Sequence, residues 1–351
     1  MNLLFLEGDM SRRGGTERMT ALLANKLCET DNVWVISTKL KENTVFFDLD
    51  SRVQHNVLSV INSKCGIFTH IVEIREFIRR YEINWVINVD IGMSIFGIPA
   101  SWGTKAKVVT WEHANYYNSW NSKIFPYFRR FAAKCSDAVV VLTERDKDNY
   151  QSNIKTKKPI HTIPNPVKYH DFSYDLNSKI ILSAGLLLPI KGYDLAIQVA
   201  AKVMPNHPEW SWIICGDGPE RDKLEKLILE YGLEDQMFLS GTISDMSKKY
   251  QEASFFVMTS KMEGLPMVLL EAKSWGLPIV SYDIMTGPSD IVSDGINGFL
   301  VEPEDIVGMS EKIEKLIVSD EIRKQFSEQS QIDMEKFNFE RIIRKWKQIL
   351  M

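Results

Sequence analysis

The 351 residues suffice for two domains of ordinary size, and 44% hydrophobic with 25% charged residues is the composition of a globular protein able to bury a core unaided. Four scattered cysteines (Cys28, Cys65, Cys135, Cys215) without a CxxC pair exclude a zinc ribbon or disulfide framework, and the five-residue apolar run in MNLLFLEGDM is too short for a signal peptide or membrane span. The net charge of −4 is uneven: 23 basic and 17 acidic residues run up to Lys168, 19 and 29 after it, so the first half is suited to face something anionic.

Short apolar runs alternate with amphipathic stretches along the chain. Asn2–Leu6, Val33–Thr38, Trp85–Val89, Lys107–Trp111, Ala138–Thr143 and Ile160–Ile163 are predicted buried strands. Thr16–Cys28 is a predicted helix, with Met19, Leu22, Leu23 and Leu27 on one face. After Asn165-Pro166 the pattern restarts, with strands at Lys179–Ala184, Trp210–Cys215, Met237–Leu239, Phe255–Thr259, Pro278–Tyr282 and Gly298–Val301. Helical patterns lie between them at Tyr193–Val203, Arg221–Tyr231 and Met267–Trp275, and Phe339–Leu350 carries Ile342, Ile343, Trp346 and Ile349 on one stripe. Such alternation predicts an α/β protein of two Rossmann-like units with parallel sheets, which bind ligands at the carboxyl ends of their strands. The cysteines are expected to be reduced core thiols, and Asp48-Leu49-Asp50 a solvated turn.

The strongest chemical signal is EGLPMVLLE at 263–271, two carboxylates separated by seven residues at the start of a predicted helix. Pro266 is expected in the first turn, and the unbonded N–H groups there make an anion site. Carboxylates flanking that site suit a nucleoside diphosphate sugar; a helix cap and a solvated helix glutamate fit the same spacing. Gly14-Gly15, between the first strand and helix, are expected to let a phosphate approach the backbone, with Arg12 and Arg13 in the same loop. GDGPER at 216–221 is an incomplete dinucleotide fingerprint, which disfavours an NAD-dependent oxidoreductase.

With GLPIV, TGPSDIV and DGINGFLV downstream, EGLPMVLLEA resembles glycosyltransferase family 4, whose hallmark is Glu, seven residues, Glu. GGTERMTALLANKL at 14–27, IPNPV at 163–167 and GDGPE at 216–220 extend the resemblance over most of the chain. It implies the GT-B fold, two Rossmann-like domains facing a cleft: an acceptor domain at 1–168, a donor domain at 169–335, and a helix at 336–351 expected to pack back on the first. It also implies retaining transfer of a hexose from a UDP-linked donor, without metal or other cofactor. The acceptor is then a growing glycan or lipid-linked glycan of bacterial capsule, lipopolysaccharide or lipid-linked oligosaccharide synthesis.

Carried over residue by residue, the resemblance makes His113, Glu263 and Lys191 catalytic. Glu263 and His113 meet the sugar, Lys191 meets the diphosphate and Glu271 grips the ribose. Gly264, Leu265, Met267 and Val268 complete that substrate site, Gly14 and Gly15 face the phosphates, and the backbone of Ile243 reads the base. Leu186 departs from the pattern, for a basic residue is expected there. That departure supports a rival reading, a non-catalytic partner subunit; a sugar-nucleotide epimerase is a second rival. Lys123–Lys134, KIFPYFRRFAAK, has four basic and four aromatic residues and no acid. It is expected to place the chain on the inner face of the cytoplasmic membrane through Lys123, Arg129, Arg130 and Lys134, although a packed helix with a basic outer face fits the same pattern.

Overall fold

The computed structural model describes residues 1–42, 44–59, 66–119 and 122–351, and Cys65 lies outside them. The chain forms two compact units, Met1–Pro166 with Phe339–Met351, and Val167–Asn338.

In the first unit one parallel sheet is built from β1 (Asn2–Glu7), β2 (Asn32–Ser37), β3 (Gln54–Val57), β4 (Trp85–Val89), β5 (Lys107–Trp111), β6 (Ala138–Val141) and β7 (Ile160–Thr162), in the order β3-β2-β1-β4-β5-β6-β7. Helices α1 (Gly15–Leu27), α2 (Gly66–Arg80), α3 (Ser94–Ser101), α4 (Phe125–Cys135) and α5 (Glu144–Asn153) connect the strands. The central strands are apolar at nearly every position because helices cover both faces of the sheet, so residues of either parity are buried. Leu4, Leu6, Trp34, Val86 and Val108 lie at the centre of one core layer.

The helix Phe339–Leu350 completes this unit, burying Ile342, Ile343, Trp346 and Leu350. Leu350 takes the place expected of Ile349 because 342, 346 and 350 follow one another at four-residue intervals along one stripe. The ring of Trp346 lies 5.0 Å from that of Trp111, and Trp85 Nε1 donates to the carbonyl of Leu350. Burying side chains of this size contributes roughly 1.5–3 kcal/mol each.

In the second unit β8 (Ile180–Ala184), β9 (Ser211–Cys215), β10 (Met237–Leu239), β11 (Phe255–Met258), β12 (Ile279–Tyr282) and β13 (Gly298–Val301) form a parallel sheet in the order β10-β9-β8-β11-β12-β13. Its helices are α6 (Tyr193–Val203), α7 (Arg221–Glu230), α8 (Ser247–Glu252), α9 (Met267–Ser274), α10 (Pro288–Ile291), α11 (Ile306–Val318) and α12 (Asp320–Glu328). Trp210, Trp212, Phe255 and Ile313 lie in its core.

Both sheets are doubly wound, as the alternating pattern predicts. Their strand order reverses between β1 and β4 and between β8 and β11. At such a reversal the loops leave in opposite directions and open a crevice at the carboxyl ends of the strands. Of the thiols, Cys28 and Cys215 are buried but Cys135 is exposed. That corrects the expectation of a core residue: Cys135 ends α4 two positions past Ala133, the last buried residue of that helix.

Candidate active site

The loops leaving β8 and β11 bring the strongest sequence candidates together. The β8 loop ends in a 3-10 turn, Pro189–Lys191, and a left-handed Gly192 with φ 64°. A Cβ on Gly192 would lie 2.2 Å from the carbonyl oxygen of Thr259, so only glycine lets this turn press against the end of β11. The Lys261 N–H donates to the Ile190 carbonyl at 2.8 Å, and the Thr259 hydroxyl to that of Lys191 at 3.3 Å. So held, Lys191 Nζ sits 2.6 Å from Glu263 Oε1, with both side chains only partly exposed.

Pro266 stands at the N-cap of α9 rather than in its first turn as expected, because its ψ of 103° is extended. Its carbonyl accepts from Leu269 and Leu270, while the N–H groups of Met267 and Val268 have no acceptor among the described residues. Two donors at a helix start, beside an ammonium and a carboxylate, can hold a phosphate next to a polyol. Leu265 is buried, so only its backbone is available to a ligand. The TGPSD segment braces this loop from behind. Thr286 donates its hydroxyl to the Glu263 carbonyl at 2.7 Å, and a Cβ on Gly287 would lie 2.4 Å from Pro266 Cδ.

One turn inside α9, Glu271 Oε2 accepts the hydroxyl of Tyr250 at 2.8 Å. Tyr250 is buried on α8 and escaped the sequence reading, since nothing local marks a tyrosine 21 residues before a glutamate. Ile243 is half-buried in the loop after β10, whose start is set by a Gly216–Gly241 bridge. The second glycine of GDGP serves packing: a Cβ on Gly218 would lie 2.6 Å from the Leu187 carbonyl oxygen. Leu186 is 51% exposed on the loop that carries Lys191.

In the first unit the glycine pair divides. Gly14 caps α1, and a Cβ there would lie 2.2 Å from Glu17 Oε2, so glycine at this position makes room for the buried Glu17 side chain. Only Gly15 is open, with nothing within 4 Å of such a Cβ. Arg12 Nε lies 3.2 Å from Glu17 Oε1, and the guanidinium of Arg13 lies 4.8 Å over the Phe46 ring.

His113 follows the carboxyl end of β5, its ring 4.2 Å from that of Trp111. Its Nε2 is buried and has no hydrogen-bond partner among the described residues. Burial drives its pKa down to about 3, so the imidazole is neutral at pH 7. Glu112 beside it is fully buried and turned inward. Arg129 is buried too, 3.4 Å from Glu112 Oε2, which removes it from the expected membrane face. It lies on the side of α4 that packs inward, whereas Lys123, Arg130 and Lys134 are exposed.

A hollow of about 540 Å³ lined by Lys155, Lys157 and Lys158 lies between α5 and β7, at the amino-terminal edge of the sheet, where such folds do not bind substrate. Among the described residues no group of three His, Cys, Asp or Glu side chains could hold a metal ion, and no helix is long and apolar enough to cross a membrane.

Two family models match the chain, Glycosyltransferase Family 4 over residues 13–170 and Glycosyl transferases group 1 over residues 170–333. An uncharacterized glycosyltransferase of Haemophilus influenzae is 30% identical, with 96% of each chain covered. The amylovoran biosynthesis glycosyltransferase AmsD of Erwinia amylovora is 27% identical, with 99% of each covered. Among solved structures, a TarM variant of S. aureus in complex with Fondaparinux, alpha-GlcNAc-glycerol and UDP superposes with a TM-score of 0.85 at 19% identity, with both chains covered completely. That likeness concerns the fold, two doubly wound units in the GT-B architecture.

Proposed function

The chain belongs to glycosyltransferase family 4, and from that premise we propose that it moves a hexose from a UDP-linked donor to a growing bacterial surface glycan, with retention of configuration and without a metal. One observation carries the reading: Lys191 and Glu263 meet at 2.6 Å where the strand order reverses, beside the open amides of Met267 and Val268. The name of the Erwinia relative and the UDP in the TarM complex support the choice of acceptor and donor.

In this reaction Glu263 binds sugar hydroxyls and Glu271 the ribose diol. The acceptor hydroxyl attacks the anomeric carbon on the face from which the diphosphate departs. Lys191 and the start of α9 stabilise the charge that develops on the leaving phosphate, so no cation is required of the protein. His113, neutral, hydrogen-bonds the transferred sugar. Lys123, Arg130 and Lys134 hold the first unit to an anionic membrane surface carrying the acceptor. Leu186 favours a non-catalytic subunit, but the intact Lys191–Glu263 pair and the Glu271–Tyr250 contact favour an enzyme.

Calorimetry with UDP and assays with UDP-hexoses test this. Glu271→Ala should weaken UDP binding about 10- to 150-fold, the effect of losing a charged hydrogen bond of roughly 1.5–3 kcal/mol. Glu263→Ala should leave UDP affinity nearly intact and lower turnover. A chain that binds no UDP, or that EDTA silences and Mg²⁺ or Mn²⁺ restores, overturns the donor or the metal-free assignment respectively.

A further inference from the structure

Behind His113 lies a buried polar assembly that the proposed reaction does not use. Glu112 Oε1 accepts the N–H of Ala114 at 3.1 Å, so its carboxylate spans the His113 backbone from one side to the other. Glu112 Oε2 accepts the hydroxyl of Tyr150 on α5 at 3.0 Å and lies 3.4 Å from Arg129 Nε on α4. Arg129 Nη2 donates to the carbonyl of Asn115 at 3.3 Å and to that of Asn118. Asp146 on α5 accepts the N–H of Tyr116 at 2.7 Å. Glu112, Arg129 and Tyr150 are all essentially inaccessible to solvent.

An arginine buried this deeply beside a carboxyl that burial pushes up to about 8 is a poor source of stability, because taking charge out of water offsets most of the attraction gained. Apolar side chains would join α4 and α5 to the sheet at least as well. What such a set of directional polar contacts supplies is one fixed geometry. Here it holds residues 112–118 from both helices, beside the buried Nε2 of His113, which has no hydrogen-bond partner among the described residues.

We propose that Glu112, Arg129 and Tyr150 are positioning residues that set the place and tilt of the His113 imidazole for sugar transfer. The proposal rests on the reading of His113 as a sugar-contacting group.

A double-mutant cycle tests it on the full chain, followed as UDP release from whichever of UDP-glucose, UDP-galactose and UDP-N-acetylgalactosamine the wild type turns over. Tyr150→Phe removes one hydrogen bond to Glu112 and should lower kcat about 10-fold with little change in donor KM, as expected of a small misplacement. In a His113→Ala background the same substitution should lower kcat no further. Arg129→Lys keeps the charge but loses the two-pronged donation, and should follow the same pattern. Equal losses in both backgrounds mean general packing and overturn the proposal. Wild-type turnover in His113→Ala instead removes the role assigned to His113.

A readout free of turnover is the His113 Cε1–Hε1 resonance among the six histidines. Tyr150→Phe should move it and leave the other five in place. An unmoved His113 signal overturns the proposal even if no donor is turned over.

Discussion

At the end of β1 the buried carboxyl of Glu7 meets Thr20. The Thr20 hydroxyl lies 3.0 Å from the Thr16 carbonyl and 3.1 Å from Glu7 Oε2, yet it has one proton to give. If that proton goes to the carbonyl, Glu7 must be the donor and therefore neutral. Burial, with Glu17 nearby, pushes the Glu7 carboxyl from its ordinary 4.5 up to about 8. Burial and Asp90 bring Glu112 to about 8 as well. The sign follows from the folded state holding these protons more tightly than the unfolded chain. The stabilisation is complete below about pH 4.5 and lost as pH rises through 8, at up to ~1.4 kcal/mol per pH unit for each group. Urea unfolding should therefore show the first unit weaker at pH 8.5 than at pH 5.5. Glu7→Gln, which can still accept from Gly8 and donate to Thr20, should flatten that slope. Equal midpoints for wild type at the two pH values would mean that both carboxyls stay ionised throughout.

The turn between β8 and α6 shows how an element carries chemistry. Gly192→Ala forces a Cβ into the Thr259 carbonyl at a left-handed φ, which should cost about 1–3 kcal/mol. It should also withdraw Lys191 from Glu263 and weaken UDP binding. Lys191→Ala, by contrast, should weaken binding while leaving the urea midpoint nearly unchanged, so unfolding and calorimetry on the two variants separate scaffold from ligand contact. The strands beside this turn were readable as apolar runs because both faces of a parallel sheet are covered. β3, Gln-His-Asn-Val, gives no such signal: it pairs only with β2 at the sheet edge and is largely exposed. α3 escaped for the opposite reason. It is apolar around its circumference and contains Pro99, so no amphipathic face marks it. In the site, Glu263 and Glu271 could be read from local spacing, and Lys191 from the family pattern alone. Tyr250, Tyr150 and Arg129 could not, because their partners are reached only after separate helices fold together. The inward turn of Arg129 was hidden for the same reason, since its sequence neighbours look like a basic surface.

At the scale of the molecule the charge asymmetry bears on where the protein works. Lys123, Arg130 and Lys134 are exposed, with Ile124 56% and Tyr127 70% exposed among them. Anionic vesicles should recruit the chain in a sedimentation assay. Replacing those three with Glu should remove at least ~3 kcal/mol of attraction, about 1 kcal/mol per basic residue and more on reversal. Equal sedimentation of both proteins would make this face an ordinary helix surface. Connectivity has a consequence of another kind. The chain leaves its first unit at Pro166 and re-enters it at Phe339, and the second unit's ends are tied by the Val167 N–H to the carbonyl of Phe337 at 3.1 Å. During synthesis every residue of the second unit is thus made before the first unit is complete. The first waits with the indoles of Trp85 and Trp111 uncovered until the helix beginning at Phe339 clears the ribosome. The half made first is the half finished last.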